Sequence, residues 1–173
     1  MVFEMLQSKI AVTIVAVILI GTVIGLEEWF RSDFEGRMMD QYAGMFQETV
    51  NNVITANGDM VHTRIVFDRD MEGVYISPTV GQKTYTIQIT QNTVVFKSGV
   101  HTVAKDFFGT VHTWNYYSVF GSRPFSRDLM DDMDNANHEI TVDTGRSNTI
   151  GIMKIKVSDG GEDRCEVFVY LMD

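Results

Sequence analysis

Cysteine is almost absent from this chain of 173 residues: Cys165 stands alone, so no intrachain disulfide, CxxC redox pair or cysteine-based zinc site can form. Redox chemistry therefore says nothing about the compartment. Proline is nearly as scarce, with only Pro78 and Pro124, and no Pro/Gly/Ser-rich tract marks a linker. Nor does any internal repeat recur at a solenoid period. Asn-x-Ser/Thr is missing as well, because Asn92-Thr93 is followed by Val94 and Asn148-Thr149 by Ile150, which leaves no ordinary N-glycosylation acceptor. Positive charge is in deficit, 14 Lys+Arg against 23 Asp+Glu for a net charge of -9. A surface of that sign repels phosphates and excludes a nucleic-acid partner.

The motifs of common chemistries are missing too. No GxSxG, GxGxxG or GxxxxGK pattern occurs, which removes the usual nucleophile elbow and phosphate cradles. His62, His101, His112 and His138 lie scattered, without the spacing of a triad or a metal site. The densest acidic cluster is Asp128, Asp131, Asp132, Asp134 and Glu139, with Asn135 and Asn137 interleaved. Oxygen ligands of this kind suit Ca²⁺, but Ala136 falls on a ligand position and the glycine of an EF-hand loop is missing, so the cluster reads as a solvated acidic loop. The expectation is a protein that is not an enzyme and carries no cofactor or metal.

What the chain does have is a long apolar run. From Ile10 to Leu26 it reads IAVTIVAVILIGTVIGL without a charge, close to the ~20 residues that span hydrocarbon once Met5 and Leu6 are added. No A-x-A cleavage signature follows, which argues for retention rather than for a secretory signal. Lys9 precedes the run, whereas Glu27, Glu28 and Asp33 outnumber Arg31 after it. By the positive-inside tendency the large C-terminal part faces the outside of the cell. Phe30, Phe34, Met38, Tyr42, Met45, Phe46, Thr49, Val50 and Val53 then recur at three- and four-residue steps, which continues the helix to about residue 56. Asn57-Gly58-Asp59 is the first strong stop. A helix from Met5 to Ala56 reaches roughly 75 Å, too much to be covered by one small domain, so its upper half is expected on the sheet and its lower half on other chains. Gly21-x-x-x-Gly25 has the spacing that lets membrane helices approach closely, although two glycines sitting in lipid give the same pattern.

After that stop, short runs alternate apolar and polar residues between turn formers, the pattern of antiparallel strands with one buried face. Candidate strands cover 63–67, 73–77, 84–90, 93–97, 101–106, 110–117, 139–143, 150–157 and 165–172. Gln91-Asn92 and Ser98-Gly99 suit two tight hairpins, which makes 84–106 a three-stranded meander. Residues 165–172 carry apolar members on both faces and read as a central strand, with Cys165 as a small buried hydrophobe. Trp114, Tyr116, Tyr117 and Phe120, within the aromatic-rich segment 107–125, read as core packing. The fold class is thus α+β: a long N-terminal helix, transmembrane then amphipathic, followed by an antiparallel β-sheet or β-sandwich head. Its parts are 1–26, a leader and hydrophobic transmembrane helix; 27–57, the amphipathic continuation; and 58–173, the β-rich head.

An uncharged helix running directly into an amphipathic one, then a β-rich head, resembles the type IV pilin superfamily. The stretches Val74-Tyr75-Ile76-Ser77-Pro78-Thr79-Val80-Gly81, Tyr85-Thr86-Ile87-Gln88-Ile89 and Asn92-Thr93-Val94-Val95-Phe96 are similar to small archaeal pilin-like and archaellin-like proteins with a class III signal. That resemblance implies polymerisation, with the helices bundled in a filament core and the heads outside, after a prepilin peptidase removes a basic leader. This chain departs from the pattern. Lys9 is the only basic residue before the run, no clear Gly cleavage position precedes it, and no acidic residue lies inside it.

The expected function is a structural subunit, major or minor, of an archaeal type IV pilus-like surface filament whose head serves adhesion. The expected partners are copies of itself, the membrane before assembly, and the prepilin peptidase and pilus assembly machinery. Its assembly interface is expected at Ile14, Val17, Ile18, Gly21, Gly25, Phe30, Phe34, Met38, Tyr42 and Met45. A single-span membrane-anchored extracellular binding domain, or a filament accessory protein, is the alternative.

Overall fold

With no proline before residue 78 and an unbroken supply of helix-compatible residues, the N-terminal part forms a single helix, α1 (Val2–Thr55). The computed structural model describes residues 2–114, 139–146, 149–159 and 162–172. The expected end at Ala56 is met to within a residue, and the turn falls on Asn57-Gly58 as the breaker signal requires. Two compact units divide the chain, residues 1–37 and residues 38–173. The boundary lies inside the amphipathic segment 27–57 rather than at its end, because the last turns of α1 are packed as part of the head.

The strands are β1 (Met60–Val66), β2 (Val74–Tyr75), β3 (Thr79–Val80), β4 (Lys83–Thr84), β5 (Thr86–Ile89) and β6 (Thr93–Ser98). They continue as β7 (His101–Asp106), β8 (His112–Trp114), β9 (Ile140–Asp143), β10 (Thr149–Asp159) and β11 (Glu162–Met172). A five-stranded sheet has the order β2-β1-β10-β11-β8 and a four-stranded sheet the order β7-β6-β5-β9, with β3 and β4 as a small separate hairpin. The meander β5-β6-β7 is the one expected from residues 84–106. Its second loop, however, is Gly99-Val100, one residue later than Ser98-Gly99, since Ser98 still pairs with His101. Gly99 holds φ 55, which its missing Cβ permits.

The pairings are not all antiparallel. β2 runs parallel to β1, with Ile65 opposite Val74, and β8 runs parallel to β11, with Phe168 opposite His112. Alternation of residue types reveals a strand and its buried face but carries no record of the neighbour's direction. The sheet is therefore mixed where an antiparallel one was expected. β11 does lie between two partners, as the apolar residues on both of its faces predict.

In the head, Met39, Tyr42, Ala43, Phe46, Val50 and Val53 of α1 enter one buried cluster with residues of both large sheets, among them Ile65, Ile152 and Val169 from one and Ile87, Phe96 and Val142 from the other. Steps of three and four residues put those six helix positions on one face. Phe46 is fully buried and meets Phe96 edge-on at 6.0 Å and Phe107 at 6.4 Å between ring centroids. Tyr85 stacks on Phe96 at 5.5 Å and its hydroxyl donates to the Ser77 carbonyl at 2.6 Å. Burial, with Tyr42 and Tyr75 close by, pushes the Tyr85 phenol well above the usual tyrosine range, so it remains a neutral donor.

Two polar side chains tie the sheets to the end of α1. Asn51 accepts the Phe108 amide at 2.9 Å. Lys154, on β10 and only 8 % exposed, donates from Nζ to the Ile54 and Ala56 carbonyls, at 2.8 Å each. The last turn of α1 has no basic residue of its own. A lysine distant in sequence thus supplies both the donors and the positive charge that a helix C-terminus calls for.

Candidate assembly surface

Along residues 12–55 of α1 lies a window apolar enough to cross a membrane by length and composition, with mean hydropathy 1.9 and none of it buried. From Ile10 to Leu26 the large apolar side chains are 52–67 % exposed. Its two threonines place no unmet hydroxyl in that surface. Thr13 donates back to the Lys9 carbonyl at 2.9 Å and Thr22 to that of Ile18 at 2.7 Å, the arrangement that lets such residues sit in hydrocarbon. A Cβ added at Gly21 or Gly25 would meet nothing within 4 Å. This chain's own packing therefore gives no steric reason for either glycine.

At 100° per residue, Ile14, Val17, Ile18, Gly21 and Gly25 share one arc of the helix, whereas Phe30 and Phe34 fall roughly 140–180° away from the glycines. These seven of the expected interface residues thus fall on two opposed sides of the helix. Phe30 and Phe34 are 61 % and 56 % exposed, and Trp29 packs edge-on against Phe30 at 5.0 Å. Around them the charges pair along the helix, Asp33 with Arg37 at 2.8 Å and Arg31 with Glu35 at 3.7 Å. Arg31 and Arg37 stay exposed in these i,i+4 pairs, whereas Glu35 is buried.

The other three expected interface residues are used at home. Tyr42 is buried in the head's core, 6.2 Å from the ring of Tyr85, and Met38 and Met45 are partly buried against the same cluster. Tyr42 is thereby a correction to the expected interface, while Met38 and Met45 keep part of their surface open. Their periodicity is that of a helix with a buried face, and periodicity alone cannot say whether the cover comes from the same chain or another.

Among the described residues no group of three or more His, Cys, Asp or Glu is arranged to hold a metal. His62 Nε2 lies 2.9 Å from the Tyr170 hydroxyl, and His112 Nε2 lies 3.0 Å from Glu166 Oε2 with its ring stacked on Phe168. Asp128, Asp131, Asp132, Asp134, Asn135, Asn137 and His138 lie outside the described residues, as do Tyr116, Tyr117 and Phe120, while Glu139 is exposed. Of the aromatic segment, Phe107 joins the core and Phe108 is exposed.

Cys165 is exposed, not buried as its alternation with Val167 and Val169 suggests. β1 ends at Met60 opposite Ile155, whereas the β10–β11 hairpin runs on to Asp159 and Glu162. Cys165, paired with Lys156, sits on that overhang beyond the reach of the core. Lys154 escaped the sequence reading altogether. The only signal for it is a lysine among apolar neighbours, Ile152-Met153-Lys154-Ile155, and Lys156 two positions on gives the same signal.

The fold and this surface define an α+β protein with a long N-terminal helix, compatible with membrane anchoring, and a mixed β-sheet head. Compared with protein-family models, with curated proteins and with solved structures, the chain finds no match in any of the three.

Proposed function

We propose that the chain is a structural subunit, major or minor, of an archaeal type IV pilus-like surface filament. It is held in the membrane before assembly, polymerises through α1 and carries its head on the outside, where the head serves adhesion. The observation that carries this reading is the excess of exposed apolar helix. The uncharged run Ile10 to Leu26 reaches roughly 25 Å along a helix axis, against about 30 Å of hydrocarbon in a bilayer, and Trp29, Phe30 and Phe34 stay exposed beyond it among the charges of Glu27, Glu28, Arg31 and Asp33. A single-span anchor needs no exposed phenylalanines beyond that run, and Phe30 and Phe34 lie on the side of the helix away from Gly21 and Gly25. Two opposed surfaces fit a subunit with neighbours on both sides. Burying them, at about 25 cal/mol per Å² of apolar area, supplies the driving force for association. Copies of the chain are thus its main partners, with a prepilin peptidase and pilus assembly machinery acting on it before and during export.

The second reading, a single-span anchored extracellular binding domain, draws on Trp29. An exposed tryptophan just past the apolar run is the kind of residue that sits at the membrane–water interface. Phe34→Asp separates the two. A carboxylate in a buried helix contact costs several kcal/mol, so the variant inserts in the membrane normally but yields no filaments by electron microscopy of cell-surface material. Filaments of wild-type number and length from that variant overturn the assembly reading.

A further inference from the structure

A shallow groove of about 320 Å³ opens between β1 and the turn leading into β2, lined by His62, Thr63, Arg64, Glu72 and Gly73. Its form follows from two glycines. Gly73 holds φ 151, and a Cβ there would lie 2.8 Å from the Arg64 carbonyl oxygen and 3.2 Å from Arg64 Cβ, so the chain passes closer to β1 than any other residue allows. Gly151 stands opposite Arg64 on β10, and the Tyr170 ring fills the space its side chain would take, 2.4 Å from a Cβ built there. Tyr170 is only 3 % exposed. Its hydroxyl engages His62 Nε2 and its ring stacks on the imidazole at 6.4 Å, which fixes the histidine and leaves its other ring nitrogen free to meet a ligand.

His62 and Arg64 lie on the same face of β1, two residues apart. Arg64 makes no ion pair among the described residues. A fixed imidazole, an unpaired guanidinium and the exposed carboxylate of Glu72 therefore converge on one concave surface of a strongly acidic protein.

We propose that this groove binds an acidic sugar unit, a hexuronate, through its carboxylate on Arg64 and its hydroxyls on Glu72 and His62. The guanidinium fork matches a carboxylate in two parallel hydrogen bonds. Glu72 accepts from the sugar hydroxyls. The volume lies at the small end of ligand sites, enough for one ring, and the open side suits a unit within a longer polysaccharide. More of the groove's lining is polar than apolar, which suits a sugar better than a hydrophobic ligand. The binding does not depend on polymerisation, so filament assembly and sugar recognition fail or succeed separately.

The test is titration of the full-length chain, in detergent, with glucuronate, glucose, acetate and glycine, followed by saturation-transfer NMR. Saturable binding of glucuronate, roughly ten-fold or more tighter than of glucose or acetate, is expected. Arg64→Gln abolishes it at unchanged helix and strand content, since Arg64 is exposed and makes no ion pair among the described residues. Glu72→Gln weakens glucuronate without affecting acetate. Acetate as tight as glucuronate reduces the groove to a generic anion site, and glycine tighter than glucuronate makes it a zwitterion site. Either result overturns the assignment, as does binding that survives Arg64→Gln or no binding of glucuronate at all.

Discussion

Lys154→Met isolates the contribution of one side chain to holding α1 on the head. Methionine keeps most of the length and apolar volume of the lysine stem, so packing changes little. What disappears is the ammonium that meets the Ile54 and Ala56 carbonyls at 2.8 Å each. A hydrogen bond to a charged group contributes about 1.5–3 kcal/mol, and positive charge at a helix C-terminus adds a few tenths to 1 kcal/mol. Against these stands the relief of no longer burying an ammonium in a site that leaves Lys154 8 % exposed. The net is a loss of about 2–4 kcal/mol, which for a chain of this size lowers Tm by roughly 5–15 °C. Circular dichroism melts of the detergent-solubilised full-length variants measure it. Lys97→Met serves as the control, because Lys97 is exposed and among the described residues bonds only to Gln88 on the neighbouring strand, and its removal changes stability by about 0.5 kcal/mol or less. A Lys154→Met Tm within about 2 °C of wild type refutes the capping argument.

Two further outcomes follow from the head. Phe46→Ala empties the middle of the buried cluster and costs about 3–5 kcal/mol, read as a fall in the denaturant midpoint at unchanged slope. His62 titrates below its ordinary value because burial, and then the nearby Arg64, disfavour the imidazolium. The unfolded chain therefore binds this proton more readily than the folded one, so stability falls as pH drops from about 6.5 toward the lower folded value. In His62→Gln the pH profile of Tm over that window flattens. An unchanged slope shows that other groups control it.

How much was legible in advance depends on whether a signal is local. The length of α1 and its stop at Asn57-Gly58 follow from composition and breaker residues, and the β5-β6-β7 meander from turn chemistry and alternation. The parallel placement of β2 and β8 has no local signature, because strand direction is a relation between distant segments. Cys165 shows the same limit. Its alternation assigns a face correctly, but only the overhang of the β10–β11 hairpin decides that nothing covers that face.

The amino-acid sequence alone determined that this protein has one long apolar helix and a β-rich head, since the helix rests on an uncharged apolar run continued at a period of 3.6 residues and the head on alternation at a period of two. Only the tertiary structure decided how that helix is shared. Met38, Tyr42 and Met45 serve the head's own core, Phe30 and Phe34 stay open on a face opposed to Gly21 and Gly25, and Lys154 closes the helix end from a strand about a hundred residues away. Those assignments depend on which surfaces meet when non-local strands pair, and hydrophobic periodicity, which is blind to partners, holds no record of them.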